Sequence, residues 1–204
     1  MPNYKELSSG ELQNLASQGD REAYYWFGDD YYNRGDYRNA AEWWEKVVKE
    51  LPTSHELFKK AACNLSLLHQ DGLHPQSDDN EAIRLYEMVP NKGPVSILAL
   101  GLLYCEVQGR NHDTAKGIGL VEDTIRWFLK EHGNDEYISS AECFRIARMY
   151  YKEAGNTNNI EYIRKAVEYA EKTISRHDIA RPNDVKRAEV AKDIMEECRR
   201  VMNL

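Results

Sequence analysis

The sequence predicts an all-α protein in which antiparallel helix hairpins stack one after another. The chain has 204 residues, of which 42% are hydrophobic and 30% charged, so it holds enough apolar material for a core. Only 6 Pro and 12 Gly interrupt it, and alternating runs of Val, Ile and Thr are nearly absent, so long helices are favoured over strands. One pattern of helical spacing also recurs along the chain, as in repeat proteins.

The clearest copy of this pattern lies in residues 24–52. Its first helix is predicted from about Glu22 to Asn33, with one face formed at positions i, i+3, i+4 and i+7 by Tyr24, Phe27, Gly28 and Tyr31. Gly35 frees the backbone for a turn, and a second helix follows from about Tyr37 to Glu50, where Pro52 stops it. The answering face is formed by Ala40, Trp44 and Val47.

The same spacing returns three more times. The later copies of the first helix carry a small residue in third place and are Ala62, Leu65, Ser66, His69; Ile97, Leu100, Gly101, Tyr104; and Cys143, Ile146, Ala147, Tyr150. The later copies of the second helix are Ala82, Tyr86, Val89; Gly117, Val121, Thr124; and Ala166, Ala170, Thr173. Two amphipathic helices joined by a short turn pack antiparallel, so each copy predicts one hairpin.

A single helix is expected at each end of the array. Ser8 and Glu11 form a capping box for a helix that Gly19 ends. At the other end, Pro182 suits the first turn of a helix whose apolar stripe is Val185, Ala188, Ala191, Met195, Cys198 and Met202. Charged residues cover its other side, as a capping helix requires.

The first hairpin resembles the tetratricopeptide repeat. The family pattern W-x2-L-G-x2-Y, A-x3-F, P reads here Tyr24-x2-Phe27-Gly28-x2-Tyr31, Ala40-x3-Trp44, Pro52. Later copies, such as Leu100-Gly101-x2-Tyr104, look more like the Sel-one-like relatives. The resemblance implies a right-handed α/α superhelix of about four antiparallel helix hairpins plus a C-terminal capping helix. The resemblance further implies that residues 1–204 form a single domain. This domain would have a half-repeat at 9–20, repeats at about 21–53, 55–90, 94–132 and 136–176, and the cap at 181–204.

The resemblance also implies a non-enzymatic scaffold without a cofactor, which binds a peptide segment of another protein in a concave groove lined by the first helices. Carried over to this chain, the groove positions are Tyr25, Asp29, Tyr32 and Asn33; Lys60, Cys63, Leu67 and Gln70; Leu98, Leu102 and Glu106; and Phe144, Arg148, Tyr151 and Lys152. Aromatic side chains would anchor the peptide and charges would orient it. Tyr25 and Tyr32 are predicted to point away from the hairpin core, whereas Leu67, Leu98, Leu102 and Cys63 have burial in the core as an alternative.

The heat-shock type of carboxylate clamp is not supported, because Tyr25 and Asp29 stand where that clamp needs Lys and Asn. Net charge supplies further exclusions. It is −7 overall, with 10 − 16 = −6 in residues 1–102 and 17 − 18 = −1 in residues 103–204, so nucleic acid is a poor partner.

A cytoplasmic protein without membrane insertion is expected. The four cysteines show no C-x-x-C spacing, there is no signal-peptide pattern, and no apolar run is long enough to span a bilayer.

Three other functions stay open at the level of sequence. One alternative function is a peptide-sensing regulator, and another is an enzyme whose site is assembled from distant residues. The third is a variant of the scaffold, in which the C-terminal helix joins two copies in a homodimer. His69, Asp71 and His74 form the only local cluster that suggests a metal, but His69 fits better as a core residue. Gly117-Ile118-Gly119 lacks the strand and third glycine of a phosphate loop, so close helix packing explains it better.

Overall fold

The computed structural model describes residues 2–109 and 111–202, and every regular element in these ranges is helical. A short 3-10 helix, Tyr4–Glu6, precedes ten α-helices in this part of the chain. They are α1 (Ser9–Ser17), α2 (Arg21–Asn33), α3 (Tyr37–Glu50), α4 (Glu56–Gln70), α5 (Asp79–Met88), α6 (Pro94–Glu106), α7 (Thr114–His132), α8 (Ser140–Thr157), α9 (Ile160–Arg176) and α10 (Pro182–Met202). The predicted all-α class is confirmed.

The chain forms two compact units, and the division falls between Ser96 and Ile97 in the first turn of α6. In the first unit each helix from α1 to α5 packs on the next one along the chain. In the second unit α8 and α9 form a hairpin, and α10 packs on both of them. Each unit therefore repeats the sequential neighbour packing of stacked helical hairpins.

Local signals position the helix ends where the sequence predicts them. Ser8 accepts a hydrogen bond from the Glu11 amide while the Glu11 carboxylate accepts one from the Ser8 amide, so the predicted capping box is confirmed. A second box, Ser139 with Glu142, begins α8. Gly35 has φ = +78°, the left-handed conformation that permits the tight turn between α2 and α3.

The core of the first unit includes Trp44, whose side chain is fully buried among aliphatic and aromatic residues. A Cβ atom on Gly28 would lie 2.7 Å from the Trp44 ring, so the glycine is what allows the indole to lie against α2. The indole Nε1 also donates a hydrogen bond of 3.2 Å to the Tyr25 carbonyl oxygen. The predicted hairpin core is thus confirmed at Phe27, Gly28 and Trp44, while Tyr24 and Tyr31 are half-buried at its edge.

The core of the second unit begins with α6, which is buried on nearly all sides. A Cβ atom on Gly101 would lie 2.9 Å from the Gly117 carbonyl oxygen, so α6 and α7 approach each other backbone to backbone. Gly117 therefore serves helix packing as predicted, whereas Gly119 is exposed, and a Cβ atom on it would meet no atom of the described residues within 4 Å. The predicted stripe of α8, from Cys143 to Tyr150, is buried at every position.

The C-terminal helix α10 covers the hairpin of its own chain. Ala188, Ala191, Ile194 and Cys198 are buried against α8 and α9. The predicted stripe is right at the two alanines and Cys198, but Ile194 takes the central place expected for Met195, which is only half-buried. This packing gives α10 the role of a cap within the second unit.

A buried ion-pair network joins the loop before α8 to α9. The Asp135 carboxylate lies 2.5 Å from the Lys172 ammonium and 2.7 Å from the Arg176 guanidinium. Arg176 also donates hydrogen bonds to the carbonyl oxygens of Asp135 and Ile138. Burial raises the pKa of Asp135, but the hydrogen bonds and charges of Lys172 and Arg176 outweigh burial and hold that pKa below its usual range.

Candidate functional site

The predicted groove residues of the first helix pair divide sharply at Tyr25. Its side chain is 6% exposed, stacks on Trp44 with 6.4 Å between ring centroids, and is hydrogen-bonded to the Asn64 side chain on α4. The prediction that Tyr25 is free at the surface is therefore wrong. The reason is that α4 packs over this face of α2 and closes it, and burial together with the nearby Asp29 carboxylate raises the pKa of Tyr25.

The other three positions on α2 lie at the surface or near it. Tyr32 is 43% exposed, with one side of its ring held against Trp44 and Tyr37 at 5.6 and 5.4 Å between centroids. Asn33 is exposed and its amide donates a weak hydrogen bond of 3.4 Å to the Asp29 carboxylate. Burial raises the pKa of Asp29, because its carboxylate lies half inside the protein.

The positions on α4 contribute a mixed surface to the first unit. Lys60 is exposed, Leu67 is 45% exposed, and Cys63 and Gln70 are half-buried. The Cys63 thiol lies 3.5 Å from the Ser96 hydroxyl, and burial raises its pKa, so it is a thiol at neutral pH. Leu67 is consequently a surface residue, whereas the alternative of core burial would have hidden it.

In the second unit, two of the predicted positions are part of the core. Leu98 and Leu102 are 1% and 0% exposed, so neither can contact a ligand, and the alternative of burial is the correct one for both. Glu106 is at the surface and forms a two-pronged ion pair with Arg145 on α8, at 2.6 to 3.1 Å. That carboxylate already has a guanidinium partner, which leaves it less available to a ligand.

The remaining four positions lie along one side of α8. The Phe144 and Tyr151 rings are half-buried against the core, with the Arg148 guanidinium 5.7 Å above the Phe144 ring. Lys152 is exposed. Tyr151 is hydrogen-bonded to the Glu197 carboxylate on α10, and this bond, more than burial, raises the pKa of Tyr151. The contact joins a predicted groove residue to the capping helix.

A cavity of about 340 Å³ opens beside this contact, between α8, α9 and α10. Tyr151 and Lys152 line it, which are two of the predicted positions. The other lining residues are Ala154, Gly155, Asn158, Ile163, Glu197, Cys198 and Val201. The cavity is large enough for one apolar side chain of a partner, and the apolar part of its wall comes from Tyr151, Ala154, Ile163, Cys198 and Val201.

Sequence reasoning did not identify the α9 and α10 side of this cavity. Val201 is 64% exposed and lies outside the predicted stripe of α10, and Ile163 belongs to a helix that the groove was not expected to include. The only available signal was Val201 itself, an apolar residue one turn beyond Cys198 on an otherwise charged surface. An apolar residue at such a position indicates an apolar contact at the surface, but it does not identify the residue that makes the contact.

Two charged groups border the cavity and set its polarity. Lys152 carries the positive charge, while the negative charge of Glu197 is hydrogen-bonded to Tyr151. Burial and then Glu197 raise the pKa of Cys198, so its sulfur is an uncharged part of the wall. Of these two charges in the cavity wall, that of Glu197 is hydrogen-bonded within the wall, whereas that of Lys152 is available to a ligand.

The cysteines are not activated nucleophiles in this fold. Burial raises the pKa of Cys105 to about 12 and that of Cys143 to about 11, so both are neutral thiols at physiological pH. In the ranges 2–109 and 111–202, no three His, Cys, Asp or Glu side chains converge in a way that could hold a metal ion. Across the same described residues, no helix combines the length and apolar character needed to cross a bilayer.

No protein-family model matches the chain, and no curated protein matches it.

Proposed function

We propose that this chain is a helical-repeat scaffold of the tetratricopeptide or Sel-one-like type, which binds a peptide segment of another protein. The observation that carries the proposal is the cavity between α8, α9 and α10, where the predicted residues Tyr151 and Lys152 border an apolar recess. The first unit supports the same function with Tyr32 and Leu67, two large apolar residues left exposed on α2 and α4.

The chemistry of the recess determines what kind of segment fits. Its apolar wall, with Ile163 and Val201, suits one aliphatic or aromatic side chain. Lys152 at the rim and Arg148, one turn before it along α8, supply positive charge on the same side. The preferred peptide therefore carries a hydrophobic anchor followed or preceded by an acidic residue, because a cation at the rim pairs with a carboxylate.

The proposal extends to the cellular setting. The four cysteines Cys63, Cys105, Cys143 and Cys198 are free thiols, as expected for a protein of the reducing cytoplasm. Neither a cofactor nor catalysis is part of the proposal.

The test uses a displayed library of random peptides, selected on the full chain. Peptides that bind are then measured against Val201→Glu and Lys152→Glu, two changes at exposed positions of the recess, by isothermal titration calorimetry. Val201→Glu buries a charge beneath the ligand and should weaken binding about a hundredfold, whereas Lys152→Glu should weaken acidic peptides about tenfold.

Matched controls come from the N-terminal half of α10, away from the recess along the helix axis. Val190 is also an exposed valine, and neither it nor Lys186 lines the recess, so Val190→Glu and Lys186→Glu should bind like the unchanged chain. The proposal is overturned if selected peptides bind all four variants equally, or if selection yields no binding peptide. Selected peptides that lack acidic residues would overturn the stated charge preference.

A further inference from the structure

Two stacked imidazoles hold the loop between α4 and α5, and the proposed peptide binding does not use them. His69 lies at the end of α4 and His74 in the loop, with 4.0 Å between ring centroids and 21° between ring planes. His69 is 7% exposed, and the side chain of His74 is 8% exposed. His69 fills a core position, as the sequence predicts, but it also binds the loop.

Both rings act as hydrogen-bond acceptors through Nδ1. The Asp78 backbone amide donates to Nδ1 of His69 at 3.1 Å, and the Gln76 amide donates to Nδ1 of His74 at 3.0 Å. A ring nitrogen that accepts a hydrogen bond carries no proton, so each neutral imidazole has its proton on Nε2. Nε2 of His74 then donates to the Glu45 carboxylate at 3.2 Å.

Protonation reverses this arrangement. An imidazolium carries a proton on each nitrogen, so Nδ1 of His69 would point a donor at the Asp78 amide, which is itself a donor. A second positive charge on His74, 4.0 Å away, would repel the first. Both backbone amides would lose their acceptors, and the segment 75–78 would lose its side-chain attachment to α4.

The charged groups around His69 act in both directions. Asp78 in the loop, Glu45 on α3 and Glu81 on α5 favour the protonated ring. His69 lines a cavity of about 370 Å³, and two cations border that cavity, Lys49 on α3 and Arg84 on α5. Arg84 is ion-paired with Glu81. Burial first, and then His74, outweigh the three carboxylates, and the pKa of His69 lies below its ordinary value.

We propose that His69 and His74 form a pH-dependent latch, which holds residues 75–78 against α4 at neutral pH and releases them in mild acid. The first half of the loop stays attached, because the amides of Leu73 and His74 donate to the Leu68 carbonyl oxygen independently of the imidazoles. The Asp78 side chain caps α5, so release also loosens the first turn of that helix.

The sign of the pH effect follows from proton linkage. A histidine whose pKa is lower in the folded protein binds fewer protons there than in the unfolded chain, so it favours folding less as pH falls below about 6.5. The latch is therefore complete above the ordinary histidine range and is lost as pH falls through the lowered pKa of His69.

Nuclear magnetic resonance on the full chain tests the latch directly. At pH of about 7.5, the ¹⁵N shifts of both rings should show a bare Nδ1 and a protonated Nε2. Between pH of about 7.5 and 5, the amides of Gln76 and Asp78 should lose about tenfold in protection from hydrogen exchange, after correction for the intrinsic pH dependence, since each loses one hydrogen bond. The amide of Leu73 should keep its protection.

Variants separate the latch from general acid sensitivity. Asn at both positions places a non-titrating Oδ1 near the location of Nδ1, so His69→Asn with His74→Asn should abolish the pH dependence at both amides. His55 is the matched control: its Nδ1 also accepts a hydrogen bond from a backbone amide, that of Leu57, but among the described residues no imidazole stacks on its ring. His55→Asn should respond to pH like the unchanged chain.

Three results would overturn the latch. The first is a proton on Nδ1 of His69 at neutral pH, and this measurement uses the unchanged chain alone. The second is equal protection of the Gln76 and Asp78 amides at both pH values in the unchanged chain. The third is a pH response that persists in the double Asn variant.

Discussion

The hairpins α2–α3 and α8–α9 share one spacing of buried positions but fill the space between their helices in opposite ways. In the first, Gly28 on α2 faces the indole of Trp44 on α3. In the last, the corresponding positions are Ala147 and Ala170, and both are fully buried. The first hairpin thus packs a large residue, Trp44, against a small one, Gly28, whereas the last hairpin has small residues at both positions.

The volume missing from the last hairpin is supplied by tyrosines. Tyr150 and Tyr169 are buried with 6.4 Å between ring centroids, and their hydroxyls donate to the carboxylates of Glu122 and Asp135. Burial above all raises the pKa of both hydroxyls, so they remain donors at any physiological pH. Lys165 and Lys172 complete these contacts as ion-pair partners of the two carboxylates.

The two hairpins therefore depend on different forces. Aromatic packing against a glycine is insensitive to pH and salt, whereas tyrosine hydroxyls bound to ion-paired carboxylates depend on protonation. One spacing of small and apolar positions is compatible with both, because it specifies how closely the helices approach and not which side chains fill the gap.

The largest expected effect is that of Trp44→Ala, which removes the side chain on which the first hairpin is centred. The change leaves a cavity against Gly28 and should lower the free energy of unfolding of the first unit by about 4 kcal/mol. Urea denaturation followed by the fluorescence of Trp26 and Trp43, both in this unit, measures the loss. Trp127→Ala, at a residue 41% exposed in the second unit, should cost less than about 1 kcal/mol. Equal costs would show that the first hairpin does not depend on its indole.

An intermediate effect is expected for Asp135→Asn in the last hairpin. The amide keeps the shape of the carboxylate but leaves Lys172 and Arg176 without their shared anion, so the second unit should lose about 2 kcal/mol. The partial exposure of the two cations limits the cost. Asp123→Asn removes an exposed ion pair with Arg126 and should cost less than about 0.5 kcal/mol.

The pH dependence of stability, measured for the unchanged chain and for Asp135→Asn, sharpens the comparison. The pKa of Asp135 is lowered in the folded state, so its contribution is present above the ordinary value of about 3.9 and is lost as pH falls through the lowered value. The stability difference between the unchanged chain and Asp135→Asn should therefore shrink below a pH of about 4. Thermal melts by circular dichroism across that range measure it, and a constant difference would contradict the role of the ionised carboxylate.

The last comparison changes the paired positions themselves, with effects no larger than that of Asp135→Asn. Gly28→Ala places a methyl group 2.7 Å from an indole that is stacked on Tyr25 and hydrogen-bonded to its carbonyl, so the ring cannot move away. The expected cost is about 2 kcal/mol. Ala147→Gly meets no such obstacle and should cost about 1 kcal/mol through backbone entropy. Urea denaturation measures both, and a stabilising Gly28→Ala would show that Trp44 has room to shift.

Helix positions could be predicted closely because their signals are local. Helix α3 begins at Tyr37 and ends at Glu50 as predicted, since Asp36 caps its start and Pro52 follows its end. The buried stripes of α4 and α8 were predictable for the same reason, because a helical period of 3.6 residues determines which side chains share a face.

The surface residues could be predicted only in part. Tyr32 lies at the surface as predicted, one residue before the end of α2. Tyr25 is two turns earlier, where α4 packs over it, and no spacing within α2 indicates how far that neighbouring helix extends. Leu98 and Leu102 are likewise buried because they pack in one core cluster with residues of α7 and α8, which the spacing within α6 does not indicate.

By itself, the sequence determined the all-α class, the ends of most helices and the small residues at which helices meet, since each of these depends on residues within a few turns of one another. Only the tertiary structure decided that Tyr25 is buried, that α10 closes a recess beside Tyr151, and that His69 and His74 stack. These features join residues on different helices and loops, so they depend on the distance and rotation between elements, which local spacing does not encode.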